Sequence, residues 1–297
     1  MPTDSARREE MLSNSSQVVQ TGRMNRRNFL AGSSAALAAT VLTAADDARL
    51  IDCHVYLGAN PFRRLGAENA AQFALGLQQR GVTEAWAGAF EGLLRRDVAV
   101  VNRELAAACQ NSLFRPCGTI NPALPAWQDD VKRCAEEHGM RVIRLHPNYH
   151  GYTLETPAFR ELLSLASKHR LLVQLVAQME DERTQHPQVR TAPVDLKPLA
   201  AIMREMQEAR VMLLNANAVM VLRHLQDCPN VWLDFAMIES VGGVENLLKT
   251  WPLERVVFGS FAPVFYWESA RLKMQESAIM AAPAQAIQSG NAAALLA

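Results

Sequence analysis

Asp52, His54 and Tyr56 alternate along the segment Ile51-Asp52-Cys53-His54-Val55-Tyr56-Leu57-Gly58. In an extended chain all three point to one side. A carboxyl, an imidazole and a phenol on one face can move protons, ligate a metal or hold a polar ligand. Three later apolar runs carry polar residues at the same spacing. "RVIRLHP" aligns Val142, Arg144 and His146; "LLVQLVAQ" aligns Gln174, Val176 and Gln178; "VMLLNANA" aligns Leu213, Asn215 and Asn217. A guanidinium or an amide within such a run is costly unless it is paired, so these positions read as strand ends where side chains converge. Polar loops follow: Asn148, His150 and Tyr152 after "RVIRLHP", and Glu180, Asp181, Glu182, Arg183, Gln185 and His186 after "LLVQLVAQ". A charge run of that kind is often only a solvated loop; its place beyond a candidate strand makes it a candidate site as well.

The elements that position these residues are legible as an alternation. Short β-branched or apolar runs begin near Leu50, Thr83, Leu113, Met140, Leu171, Arg210, Val231 and Arg255. Between them lie stretches such as "AENAAQFALGLQQRG", "DVAVVNRELAAACQ", "AWQDDVKRCAEEHG" and "TPAFRELLSLASKHR", whose apolar residues recur every three or four positions; Gly81 and Gly139 stand where helices end. Strands separated by helices pair in parallel through right-handed crossovers. Eight such units fit an α/β fold, a single-domain (β/α)8 TIM barrel, whose chemistry sits at the C-terminal ends of the strands. An open doubly wound sheet is the alternative, but no Gly-rich phosphate loop follows the first strand.

The chain has 297 residues, 49% of them apolar, with 30 basic and 30 acidic side chains. That balance gives no footprint for nucleic acid or an anionic membrane. The five cysteines are scattered, with no C-x-x-C pair, and read as small buried residues rather than as a disulfide or zinc framework. Near the start, Asn25-Arg26-Arg27-Asn28-Phe29-Leu30 precedes "AGSSAALAATVLTA". Paired arginines and a short, weakly apolar run suit a twin-arginine export signal over residues 24–46, and hence a periplasmic protein, cytoplasmic if the signal is not used. The run is too short to anchor in a membrane. Residues 1–23 read as a disordered or upstream-start segment, and residues 47–297 as the barrel.

Four motifs resemble the amidohydrolase superfamily, in particular its amidohydrolase-related (family 2) branch of barrel hydrolases and decarboxylases. They are "IDCHVYLG", "RVIRLHPNYHGY", "RVVFGSFAPVFYWES" and "IQSGNAAALL", in the family's order across roughly residues 50–297. The resemblance implies five metal-ligand positions: His54 and Tyr56 on the first strand, Val176 on the fifth, Asn215 on the sixth and Phe261 on the eighth. Only His54 matches. Zinc wants three or four N, O or S donors, so no cofactor is expected, and zinc only at a displaced site built from His54, His146, His150 and His186.

Since some lactonases of this branch work without metal, the resemblance allows a metal-independent hydrolase of a small carboxylated lactone, ester or amide. In that reading Arg144 or Arg183 holds a carboxylate or polarises a carbonyl. His54, His146 or Glu180 activates water, and Asn215 donates to the oxyanion. Tyr56, His150, Tyr152, Arg183, Gln185 and His186 would contact the substrate. Two alternatives stay open. One is a catalytically inactive barrel serving as a binding or interaction protein, with Tyr56, Val176 and Phe261 filling the metal's place; the other is a decarboxylase of the same family. Asp234 reads as an ion-pair partner and Asn217 as a helix cap. The partner expected is a small molecule, with a homo-oligomer possible.

Overall fold

Each apolar run forms the strand expected of it. In the computed structural model, which describes residues 49–297, the strands are β1 (Ile51–Leu57), β2 (Glu84–Ala89), β3 (Phe114–Thr119), β4 (Val142–Leu145), β5 (Leu172–Val176), β6 (Val211–Leu214), β7 (Val231–Asp234) and β8 (Val256–Val257). The expected export signal lies outside the described residues. All seven adjacent pairings are parallel, in sequence order. The segment after β8 returns to β1: Cys53 N donates to Phe258 O at 2.9 Å and Tyr56 N to Ala262 O at 3.0 Å. The result is a (β/α)8 barrel. No helix among the described residues is long and apolar enough to cross a membrane.

The helices begin and end as the sequence suggests. Asn69 and Asp97 cap Ala70–Gln79 and Val98–Ala108 by accepting from Gln72 N and Val100 N. Gly81 and Gly139 adopt φ values of +88° and +60°, the left-handed turn that glycine takes without a Cβ penalty. Asn217 caps Ala218–Leu222 by accepting from Met220 N.

Strand alternation divides the apolar residues into two layers. Ile143, Leu145, Val173, Leu175, Val231 and Leu233 join the layer beneath the helices. Val142, Leu172, Val176, Met212, Leu214 and Val257 fill the interior. Two expectations about direction fail here. On β6 the interior residues are Met212 and Leu214, and Leu213 packs outward, so the expected row of Leu213, Asn215 and Asn217 is displaced by one. The polar pair after the strand misled the phase, because Asn215 has already left it at φ +56°. On β1 the register against β2 slips between Asp52 and Val55. Ile51 and Cys53 lie inside, as does Tyr56, whereas Val55 and Leu57 lie outside. A bulge changes the facing of the residues beyond it, which brings His54 inward and takes Asp52 out of its row.

Candidate functional site

Arg144 explains how the bulged strand is tolerated. It is wholly buried, and its guanidinium donates to Gln174 Oε1 (2.8 Å), Val55 O (2.8 Å) and Trp86 O (3.1 Å). Gln174 in turn donates to Cys53 O at 2.8 Å. Backbone carbonyls of β1 and β2 on either side of the slip are thus satisfied from β4 and β5, as buried polar groups require. The Arg144 guanidinium also lies 4.6 Å from the Tyr56 ring centroid. It therefore serves the barrel interior, and the expectation that it clamps a substrate carboxylate is not met.

Gly88 makes room for that guanidinium. A Cβ there would stand 2.6 Å from Arg144 Nη1. Gly88→Ala is expected to cost roughly 1–3 kcal/mol, as overpacking does, read as a lower urea midpoint at unchanged slope.

Above Arg144 sit two polar pairs. His54 Nδ1 lies 2.6 Å from Asp234 Oδ2, both residues being fully buried. Asp234 Oδ1 also accepts from Asn215 N at 3.0 Å. With Nδ1 donating, Nε2 is the free lone pair of His54, and it has no partner. Burial drives the His54 pKa down to about 4 against the pull of Asp234. The second pair joins Tyr56 Oη to His146 Nε2 at 2.8 Å, leaving His146 Nδ1 unpartnered. Burial and the neighbouring His150, Arg144 and His54 push His146 well below its ordinary value, and burial raises Tyr56 to about 12. Asp52 accepts from His54 N and Ser260 N, and its burial lifts it to about 6.

The five positions that the family resemblance marks as metal ligands adjoin one another, and they do not fit a metal. Phe261 stacks on the His54 ring at 4.7 Å, and Tyr56 meets Phe261 edge-on at 5.9 Å and stacks on Phe90 at 4.9 Å. Tyr56, Val176, Phe90 and Phe261 belong to one interior cluster and are each 0% exposed. His54 spends one nitrogen on Asp234, and the side-chain nitrogen of Asn215 donates to Gln178 O at 2.9 Å. Among the described residues no three His, Cys, Asp or Glu side chains are grouped to hold an ion. The displaced site does not form either, because His186 stacks on Phe62 at 4.6 Å and accepts from Gln188 N instead of joining His146.

Several expected contact residues serve the loops. His150 Nε2 bonds Gly92 O at 2.9 Å, beside His146, and its Nδ1 is free. Tyr152 packs in the layer beneath the helices. Gln185 is buried and pins its own loop through Thr191 N and O. Asn215 turns one of its two amide N–H donors to Gln178 O. Arg183 is exposed and forms a bidentate pair with Asp181 at 2.9 and 2.7 Å. Glu180 pairs with Arg63, a residue of the β1 loop that sequence reasoning passed over. Together with the Phe62–His186 stack, this pair straps the β1 loop to the β5 loop.

Outside that buried centre lies an open cavity of about 960 Å³, at the C-terminal ends of β5 to β8. Arg63, Glu180, Asp181, Glu182, Arg183 and Glu239 supply its charges, and Met220, Met237, Val264 and Phe265 its apolar wall. None of His54, Tyr56, Arg144 or His146 lines it. Asp234, expected as an ion-pair partner, pairs with His54 and so belongs with the candidate site residues, where the sequence reading did not place it. Its signal was an acidic residue closing an apolar strand in "VWLD", which sequence alone pairs with no particular partner.

The family model described as Amidohydrolase matches residues 51–297. Among solved structures the chain is similar to 2,6-dihydroxybenzoate decarboxylase from Rhizobium, at 13% identity and a TM-score of 0.62, covering 84% of this chain and 98% of that one. It is similar to 5-carboxyvanillate decarboxylase from Sphingomonas paucimobilis, at 13% identity and a TM-score of 0.63, over 84% and 98% of the two chains. A third similarity is to the 5-carboxyvanillate decarboxylase of Novosphingobium aromaticivorans, complexed with manganese and 4-hydroxy-3-methoxy-5-nitrobenzoic acid. It has 12% identity and a TM-score of 0.64, over 84% and 95%. At these identities the likeness concerns the fold. None of the curated proteins compared with the chain matches it.

Proposed function

Because the chain belongs to the amidohydrolase family, we propose that it is a metal-independent member that binds a small molecule at the barrel mouth without turning it over. One observation carries this reading: Tyr56, Val176 and Phe261 occupy the family's metal-ligand positions as a closed, fully buried cluster. Two of these side chains offer no donor, and the third spends its hydroxyl on His146. Water and substrate are kept from His54 by the same packing, and a general base must reach its proton within hydrogen-bond distance. The open cavity above is the place for a ligand. Its two arginines are already paired and its carboxylates outnumber them, which favours a neutral or cationic ligand with an apolar body over a carboxylate.

A second reading has its own support. His54, oriented by Asp234 with Nε2 free, has the arrangement of a metal-free general base. A hydrolase or a decarboxylase working through it would have to move Phe261 aside.

Both readings meet in one experiment on the purified full-length protein, grown with manganese and zinc. Metal content is measured after dialysis, and lactones, aryl esters and hydroxybenzoates are tested for turnover and for thermal shifts. We expect well under one metal per chain, some probes that raise the melting temperature, and no consumption above that of H54N. One tightly held ion per chain would overturn the metal-free reading. Turnover abolished by H54N and by D234N would replace the binding role with the second reading.

A further inference from the structure

Three consecutive strands begin beside an arginine. Arg141 precedes β4, Arg170 stands two residues before β5, and Arg210 precedes β6. Since β4, β5 and β6 are neighbours in the sheet, strand spacing of about 4.8 Å brings these starts together. They lie on the barrel face opposite the mouth. We propose that Arg141, Arg170 and Arg210 form a binding site for a phosphate group, either inorganic phosphate or a phosphate monoester.

The three arginines line one cavity of about 700 Å³, together with His169, Glu208 and Ala297. Among the described residues no carboxylate lies within 4.0 Å of any of the three guanidiniums. Arg141 gives one bond to Leu296 O at 2.9 Å. Arg210 gives one to Leu295 O at 2.7 Å and one to Arg170 O at 2.9 Å. These bonds hold the end of the closing helix Asn291–Leu295 and leave most of the N–H donors free. The Arg170 guanidinium makes no hydrogen bond among the described residues. Burial and the charge of Arg141 both depress Arg210, so the cluster stores a repulsion that an anion would relieve. Guanidinium forks match phosphate oxygens in pairs, and charge-assisted bonds of this kind are strong.

Arg170 holds a left-handed backbone, as Ala126 and Phe261 also do. It ends the helix Pro157–Lys168 at φ +55°, the conformation that Gly81 and Gly139 take elsewhere in this chain. An L-residue with a long side chain is strained there. A clamp for the closing helix needs only the Arg170 carbonyl, which glycine also has.

That strain separates binding from folding in the test. The full-length protein is titrated with inorganic phosphate and, in a parallel arm, with glycerol phosphate. Chloride at matched ionic strength is the control, and calorimetry and melting temperature are the readouts. Saturable binding is expected in the wild type, weakened about tenfold or more in R170G and in R170N. Both variants should melt at or above the wild-type temperature, because glycine and asparagine tolerate the left-handed turn. Tighter binding in one arm identifies the source of the phosphate group. No binding beyond the chloride control, or binding unchanged in both Arg170 variants, overturns the proposal.

Discussion

Arg144→Ala is expected to lower the melting temperature by about 10 °C or more, the largest loss from any single side chain in the barrel interior. The wild-type guanidinium is fully buried and serves Gln174, Val55 O and Trp86 O together. Removing it strands three acceptors where water does not reach and leaves a cavity under Tyr56. Breaking one partner of a buried charged network costs about 3–5 kcal/mol, and in a chain of this size each kcal/mol moves the midpoint by roughly 2–4 °C. Arg144→Met keeps much of the volume but donates nothing, so it separates the two contributions. If hydrogen bonding dominates, methionine recovers little. Calorimetry of both variants decides it: a midpoint within a degree or two of wild type in Arg144→Ala would mean that the β1 bulge does not depend on this residue.

The dependence of β1 on Arg144 also shows where sequence reading stops. All eight strands and their order follow from apolar runs separated by amphipathic helices, because burial and hydrogen bonding give those periods directly. Facing on a regular strand was equally plain, as Val142, Arg144 and His146 illustrate. Facing failed on β1 and β6 for related reasons. A bulge leaves no composition signal, and its support arrives from β4 and β5, 89 and 121 residues away. On β6 the backbone turns left-handed at Asn215, one residue beyond the strand, so a two-residue period carried past that point points the wrong way. The loss of metal ligands was legible at Val176 and Phe261 because those side chains have no donor. What took their place was not. Asp234 finds His54 across 180 residues, and only the closed barrel makes that meeting.

The candidate contacts divide along the same line. Residues on strands or at their ends, such as His54, Tyr56 and His146, were placed correctly in the barrel interior. Residues in loops divide: Glu180 and Arg183 line the open cavity, whereas Gln185 and His150 hold loop backbone, since a loop side chain is as free to pin its own backbone as to meet a ligand. Gln185 holding Thr191 and Arg183 holding Asp181 are local choices that residue type alone does not distinguish from ligand contacts.

Acid is expected to unfold the barrel through histidines that it keeps neutral. Unfolded, His54 and His146 take up protons near pH 6.5; folded, burial holds His54 to about 4 and His146 well below its ordinary value. Below pH 6.5 the unfolded chain therefore binds protons that the native chain does not, and stability falls as the pH falls. Asp52 has the opposite sign. Its folded value of about 6 stands above the unfolded 3.8, so between those limits the native state carries the extra proton. From pH 6 to 4, Asp52 thus offsets His54 proton for proton. His146 is left uncompensated, and His150, lowered by burial against its bond to Gly92, adds to it. One to two excess protons correspond to roughly 1.4–2.7 kcal/mol lost per pH unit. Melting curves from pH 7 to 4.5 should show this decline, flattened by one proton's worth in His146→Gln and steepened in Asp52→Asn, where the offset is gone. The two variants move the slope in opposite directions, so a general acid sensitivity of the surface reproduces neither. An unchanged slope in His146→Gln would mean that this imidazole is protonated in the fold, and that the Tyr56–His146 pair is wet.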